Sequence, residues 1–569
     1  MDDSSLHPPL RLTWRGVFYC RIRYEVSVVQ MARWVGCILL GTTALAGCGS
    51  ERSIDGDVWL RDWMIEEAKA NWQSGILDSQ HLEVYLADNR KSFDVVAHLE
   101  IRAAHSGVRS LRLGLDSASV SLVQIDGRPQ EFEYDGGWLQ VELSDELTHD
   151  QVVPLEVVYR IGAVGDTSLS LLPEAYRWTP TTGAMTATVT RTDFYLPTNY
   201  TGVGAGRFVT SERRGGKNLV VWATPWSTAP VCLVGPLAAQ TEVVADVPVH
   251  LFVAQDHTDV GKRIAEELIG VFRLYSDLLG EQLYPFEKLA LVEVSRPVDS
   301  MVYPSVILLT SDEISGPETP LKLKLAYRLA RQWWGMALPT IGLPQDWWAD
   351  GMARLLAALW ADEAFGHDAF AACMARQALV HLDGVDSAAP KTSVIELLRG
   401  STTQETKDLL ASKAAWMWQH LRSTASEPAF IQFCESLLSN RTKRYVDTKD
   451  VVAALGDATN MLGVDWLAEW ASNSALPRYE ISCESGTANT HCILKRLSGH
   501  KFDVQVGAKS KDGSMAVKTV TPTLEGISVE FREDGEPLEV VVDPNDTFLR
   551  SERRGVYQKR VQEMNMLWE

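Results

Sequence analysis

Tyr327-Arg328-Leu329-Ala330-Arg331 runs into Gln332-Trp333-Trp334-Gly335, and Trp347-Trp348-Ala349-Asp350-Gly351 follows. Tyr327 and Arg331 are four apart, so on a helix they share a face. Eighteen residues, 332–349, separate Arg331 from Asp350. These residue types suit charge pairing. Arginine offers N–H donors, has no lone pair and stays protonated. Asp350 alone keeps the character of a metal ligand. Histidine is sparse: of twelve, none lies between His257 and His367, and no two are four apart. His98 with His105, and His250 with His257, are seven apart in strand-rich sequence. That spacing does not bring a pair to one site, and they read as ordinary histidines.

The elements that must hold these residues fall into three zones. Residues 77–246 read as β. His81–Leu86 and Phe93–Ile101 alternate with period two, and Asp135-Gly136-Gly137 is a turn before the strand Trp138–Leu143. Gly202–Gly206 is glycine-rich but lies in this zone, and reads as a loop rather than a phosphate cradle. Residues 247–476 change character. The stripe Ile264, Leu268, Phe272, Tyr275 and Leu279 marks a helix, and strands are expected at Leu289–Val294 and Val306–Thr310. Helices dominate from Pro320, and Thr448-Lys449-Asp450 opens one with a capping residue. Residues 477–569 return to β. Nineteen Trp suit large aromatic cores.

The start of the chain reads as a targeting segment. Met31-Ala32-Arg33 is a short basic start, Trp34–Ala44 an apolar run too short to span a bilayer, and Leu45-Ala46-Gly47-Cys48 follows. This resembles a bacterial lipoprotein signal, with Cys48 as the acylated residue and palmitate among its lipids. Residues 1–47 are then the signal region, with 1–30 read as untranslated, and 48–76 a linker and helix. The resemblance implies an envelope protein anchored by lipid, in the outer membrane if the cell is Gram-negative. Cys483 and Cys492 flank a short polar stretch between strand-like runs, which in an oxidising compartment reads as a hairpin disulfide. The formal charge of −20 repels phosphate backbones and argues against nucleic acid as a partner.

The motif helix and the Trp-Trp-Ala-Asp-Gly element resemble the aminopeptidase N family of gluzincin peptidases (family M1). There the two read His-Glu-Leu-Ala-His-Gln-Trp-Trp-Gly and Trp-Leu-Asn-Glu-Gly, with the same spacing. Tyr284-Pro285-Phe286-Glu287-Lys288, Asp447 through Trp466, Trp470 and Pro477, and Val541–Pro544 resemble further family elements in the same order. The resemblance implies a multidomain α+β protein. It has an N-terminal β-sandwich saddle, a mostly helical thermolysin-like middle and a C-terminal β-sandwich.

The family's chemistry does not carry over. Two zinc-binding His and a third ligand, Glu, match Tyr327, Arg331 and Asp350, and the general base matches Arg328. The exopeptidase loop that anchors the substrate amine aligns its Glu with Val302. The tyrosine that steadies the oxyanion aligns with Ala411, two before Lys413. Zinc is therefore expected to be absent, with no catalytic residue in place. Arg331 is expected to pair with Asp350, with Arg328 as the rival partner. The expected function is a pseudopeptidase that binds a peptide, a glycan or an envelope protein. Its rivals are a hydrolase with an altered site and a structural assembly factor.

Overall fold

Gly75–Leu86, Ser92–Ala103 and Val152–Gly162 each bury nearly every second side chain. That is the pattern of strands covered on one face. In the computed structural model they are central to an eight-stranded sheet. Its order is Arg207–Arg214, Lys217–Ser227, Thr188–Leu196, Gly75–Leu86, Ser92–Ala103, Val152–Gly162, Ala118–Ile125 and Arg128–Pro129. The structure describes residues 74–568 apart from 166–169, 173–176, 183–187, 228–230, 255–256, 280–283, 298–300, 339–346, 388–393, 395–402, 440–445, 460–462, 473–474, 486–488, 500, 511–512 and 533–538. Cys48 and the expected helix before residue 74 lie outside the described residues.

The glycine run at 202–206 is not simply a loop. Thr201–Gly204 is a strand paired with Cys232–Gly235. A β-carbon on Gly204 would stand 3.0 Å from Trp222, so glycine lets this strand lie close on the indole.

A five-stranded sheet follows, ordered Ala238–Val244, Val247–Val253, Leu289–Val294, Val306–Thr310 and Val302–Tyr303. The hairpin between its first two strands turns at Ala245 and Asp246, both at positive φ. Leu289–Val294 and Val306–Thr310 are buried at every residue. Alternate side chains explain this. Ala290, Val292, Val306 and Leu308 join the core of the first sheet. Leu289, Leu291, Ile307 and Leu309 join the core of the helices. One sheet is thus packed on both faces, and its strands lose the alternation of a half-exposed ribbon.

The helices are α1 (Thr258–Leu278), α2 (Ser311–Ser315), α3 (Glu318–Arg331), α4 (Trp347–Phe365), α5 (His367–Ser387), α6 (Gln404–Thr424), α7 (Glu427–Ser439), α8 (Thr448–Ala458) and α9 (Gly463–Ser472). The cap of α8 is Asp447, one residue before the expected start. It accepts from Asp450 N, and Asp450 returns the bond to Asp447 N. Two three-stranded sheets follow, and Cys483 and Cys492 sit opposite each other in one of them, joined by a disulfide. Residues 477–569 are not β throughout. The chain ends in α10 (Arg554–Trp568), which packs on α5. Tyr557, Val561 and Met564 give α10 an i, i+4, i+7 stripe, with Tyr557 and Met564 buried.

Candidate functional site

The motif helix α3 follows Pro317, its N-cap residue, and continues into a kinked segment Gln332–Ala337. Gln332 locks that junction. Its Nε2 donates to Tyr303 O at 3.0 Å, and its Oε1 accepts from Ser305 N at 2.8 Å. Trp333 packs edge-on against Tyr284 and Tyr275. Gly335 lies at φ +114, and a β-carbon there would stand 2.9 Å from the Arg331 guanidinium. The positive φ is what calls for glycine here, since the flexible end of Arg331 could shift to admit a β-carbon.

Tyr327, Arg331 and Asp350 are brought together, and Arg328 is turned aside. The Tyr327 hydroxyl donates to Asp350 Oδ1. Arg331 Nη1 stands 3.7 Å from the same oxygen, an ionic contact beyond hydrogen-bond reach. The nearer cation is Arg354, one turn along α4, whose Nη2 donates to Asp350 Oδ2 at 3.1 Å. Arg354 also donates to Gln377 and Ser412 and pairs with Asp408. Arg328 is not a partner of Asp350. It forks onto Glu313 with two bonds of 2.8 Å and donates to Leu308 O at 3.0 Å.

Burial by itself raises the Asp350 carboxyl. Arg354 and Arg331, with the Tyr327 bond, outweigh it and hold the group below its ordinary range. Burial and the Asp350 charge push the Tyr327 phenol upward, so it stays a donor. At Glu313, burial is outweighed by Arg328 and the Thr310 backbone bond, and the carboxyl falls to about 2.

Val302 lies on the edge strand Val302–Tyr303, buried and opposite Ile307. Ala411 is buried in α6, and its methyl offers no hydroxyl. Beside the Asp350 cluster a cavity of about 570 Å³ opens between α3, α4, α5 and α10, with Tyr327 and Arg354 in its wall. Among the described residues no group of three or more His, Cys, Asp or Glu is disposed to hold a metal ion.

The sequence spacing missed Arg354, Glu313 and a histidine pair. Asp350 and Arg354 are i, i+4 on one helix, the spacing that makes ion pairs, so that signal was present. His81 and His98 are opposite on adjacent strands, their rings 5.6 Å apart, in a groove with Glu156 and Arg191. Only strand register reveals that pairing.

No protein-family model matches the chain, and no curated protein matches it. A solved structure does: aminopeptidase A of Legionella pneumophila, in complex with aspartic acid. It superposes with a TM-score of 0.69 at 13% identity, over 84% of this chain and 59% of that one. The fold is thus aminopeptidase-like, mixed α and β with several sheets. The chain spans less than two thirds of that neighbour's length.

Proposed function

We propose that this is a non-catalytic binding protein built on an aminopeptidase-like fold. In this reading the β-rich first half is the saddle, α1–α9 with the five-stranded sheet form a thermolysin-like unit, and a β-sandwich follows. The observation that carries it is the state of Asp350. Its oxygens accept from Tyr327 and Arg354, and Arg331 faces it from 3.7 Å. Two guanidiniums and a phenol around one carboxylate do not fit zinc, which needs lone pairs from several sides. No step of hydrolysis is therefore routed through a metal here. Val302 and Ala411 supply neither an amine anchor nor an oxyanion donor. The cavity of about 570 Å³ favours binding over a purely structural role.

Metal analysis of the native protein tests the reading. The expected result is no stoichiometric zinc and no aminopeptidase activity. One tightly held zinc per chain defeats it. Lipid anchoring in the envelope belongs to the same proposal and rests on Leu45–Cys48. Cys48→Ala is expected to release the protein from membranes or leave it unprocessed. Wild-type maturation and fractionation of that variant would remove the anchor.

A further inference from the structure

The cavity beside Asp350 has walls and charges of different kinds. Leu323, Ala357, Ala358, Ala372, Val561 and Met564 make most of its lining apolar. Three cations, Lys324, Arg354 and Arg376, reach it, against one carboxylate, Asp408. Their partners extend the imbalance. Lys324 shares Glu313 with Arg328, and Arg354 shares Asp350 with Arg331. Five cations therefore stand against three carboxylates, Glu313, Asp350 and Asp408, in a chain whose formal charge is −20. A cleft with low-dielectric walls concentrates the field of such a cluster.

The cations differ in how fully they are used. Arg354 is taken up by Asp350, Asp408, Gln377 and Ser412. Arg376 is exposed on α5, and its Nη2 bonds the neutral amide oxygen of Asn565 on α10 at 3.0 Å. That bond leaves the guanidinium charge uncompensated by Asn565. The C-terminal helix thus supplies both an apolar wall and the group that steadies the rim cation.

We propose that this cavity binds an organic anion with an apolar body, of the kind formed by a medium-chain acyl carboxylate or an alkyl phosphate, a reading that rests on the binding role above. The apolar lining requires a ligand with hydrocarbon to bury, and the excess cations require a negative head. A bare inorganic anion leaves the apolar wall against water, and an alkyl ammonium meets repulsion from three cations. The volume lies within the range of small-molecule sites.

Calorimetric titration of the full chain at low salt with decanoate, decyl phosphate, decanol and decylamine tests this. Both anions are expected to bind at least tenfold tighter than decanol, with decylamine weakest, and the advantage is expected to shrink as salt rises. Cys373 lines the cavity and locates the event. Its labelling by maleimide, read by peptide mapping, is expected to slow when either anion is bound. Arg376→Glu changes an exposed rim position, so the fold is expected to survive, as an unchanged melting curve would show. Anion affinity should fall at least tenfold in that variant while decanol is unaffected. A tighter decyl phosphate points to a phosphorylated lipid as the source, and a tighter decanoate to a free acyl acid. Equal affinity for the anions and the amine, no binding of either anion, or no protection of Cys373 overturns the assignment. Zinc measured in the same sample marks failure of the underlying binding role. A zinc-free chain without anion preference marks failure of the ligand class alone.

Discussion

Helix α3 carries two ionic clusters, one toward the strand Val306–Thr310 and α2, the other toward α4. At the first, Arg328 meets Glu313 in a two-bond fork, and Lys324 adds a second cation at 2.9 Å. At the second, Asp350 meets Arg354 and Tyr327 closely and Arg331 at longer range. Both clusters centre on one largely buried carboxylate, Glu313 at 12% and Asp350 at 15% side-chain exposure. They differ in what surrounds it. The Glu313 cluster closes a local cap, because Glu313 also completes the capping box of α2 with Thr310. The Asp350 cluster ties α3 to α4 and, through Asp408 and Ser412, to α6. One charge cluster secures a turn, and the other, with the Arg354 bond to Gln377 on α5, secures the packing of four helices.

Removing the centre of the larger cluster should have the largest effect. Asp350→Ala leaves Arg354 and Arg331 facing one another with little water. A loss of ~3–5 kcal/mol in urea unfolding is expected. Double-mutant cycles should give Asp350 a stronger coupling to Arg354 than to Arg331, because only Arg354 is within hydrogen-bond reach. Additive losses at Asp350 and Arg354 would mean that the two do not interact. Arg328→Met strikes the smaller cluster and is expected to cost about 2 kcal/mol, the range of hydrogen bonds to a charged group. Lys324 remains beside Glu313 and limits the damage. A greater loss than for Asp350→Ala would reverse the ranking of the clusters.

A pH-dependent effect lies nearby, on α6, where burial prevails over charge. Burial brings the Lys413 ammonium down to about 7, against about 10.4 in an unfolded chain. Between these values the unfolded state binds more protons. Stability contributed by Lys413 is full above the unfolded value and is lost as pH falls toward 7. Wild-type stability should therefore rise from pH 7 to about 10 relative to Lys413→Met. Parallel pH profiles of the two proteins would remove Lys413 from this account.

The order of elements was legible because local pattern decides it. Strands with one covered face keep their alternation, and α3 keeps its aromatic flanks. The pairing of Arg331 with Asp350 was legible only as proximity. The spacing fixes which helices meet, while the length and direction of each side chain decide which guanidinium arrives. Arg354 competes from Asp350's own helix, where i, i+4 geometry places it without any tertiary search. Glu313 was hidden for the opposite reason, since its pairing with Arg328 depends on a turn, fifteen residues away, that only the folded chain brings back. The terminal helix was overlooked because its apolar stripe is short, and its partner surface on α5 is far away in sequence.

Arg354 also bears on what it would take to install a zinc-peptidase pattern on this frame. Writing in the pattern of the peptidases that the motif resembles takes Tyr327→His, Arg328→Glu, Arg331→His and Asp350→Glu. None of these touches Arg354, which already sits on the carboxylate of position 350 through Oδ2. A cation fixed there by Gln377, Ser412 and Asp408 competes with any metal for the same oxygens. Changing Arg328 also deprives Glu313 of its fork. The peptidase pattern is thus out of reach of these four positions alone, and any route to it has to begin in the surrounding charges.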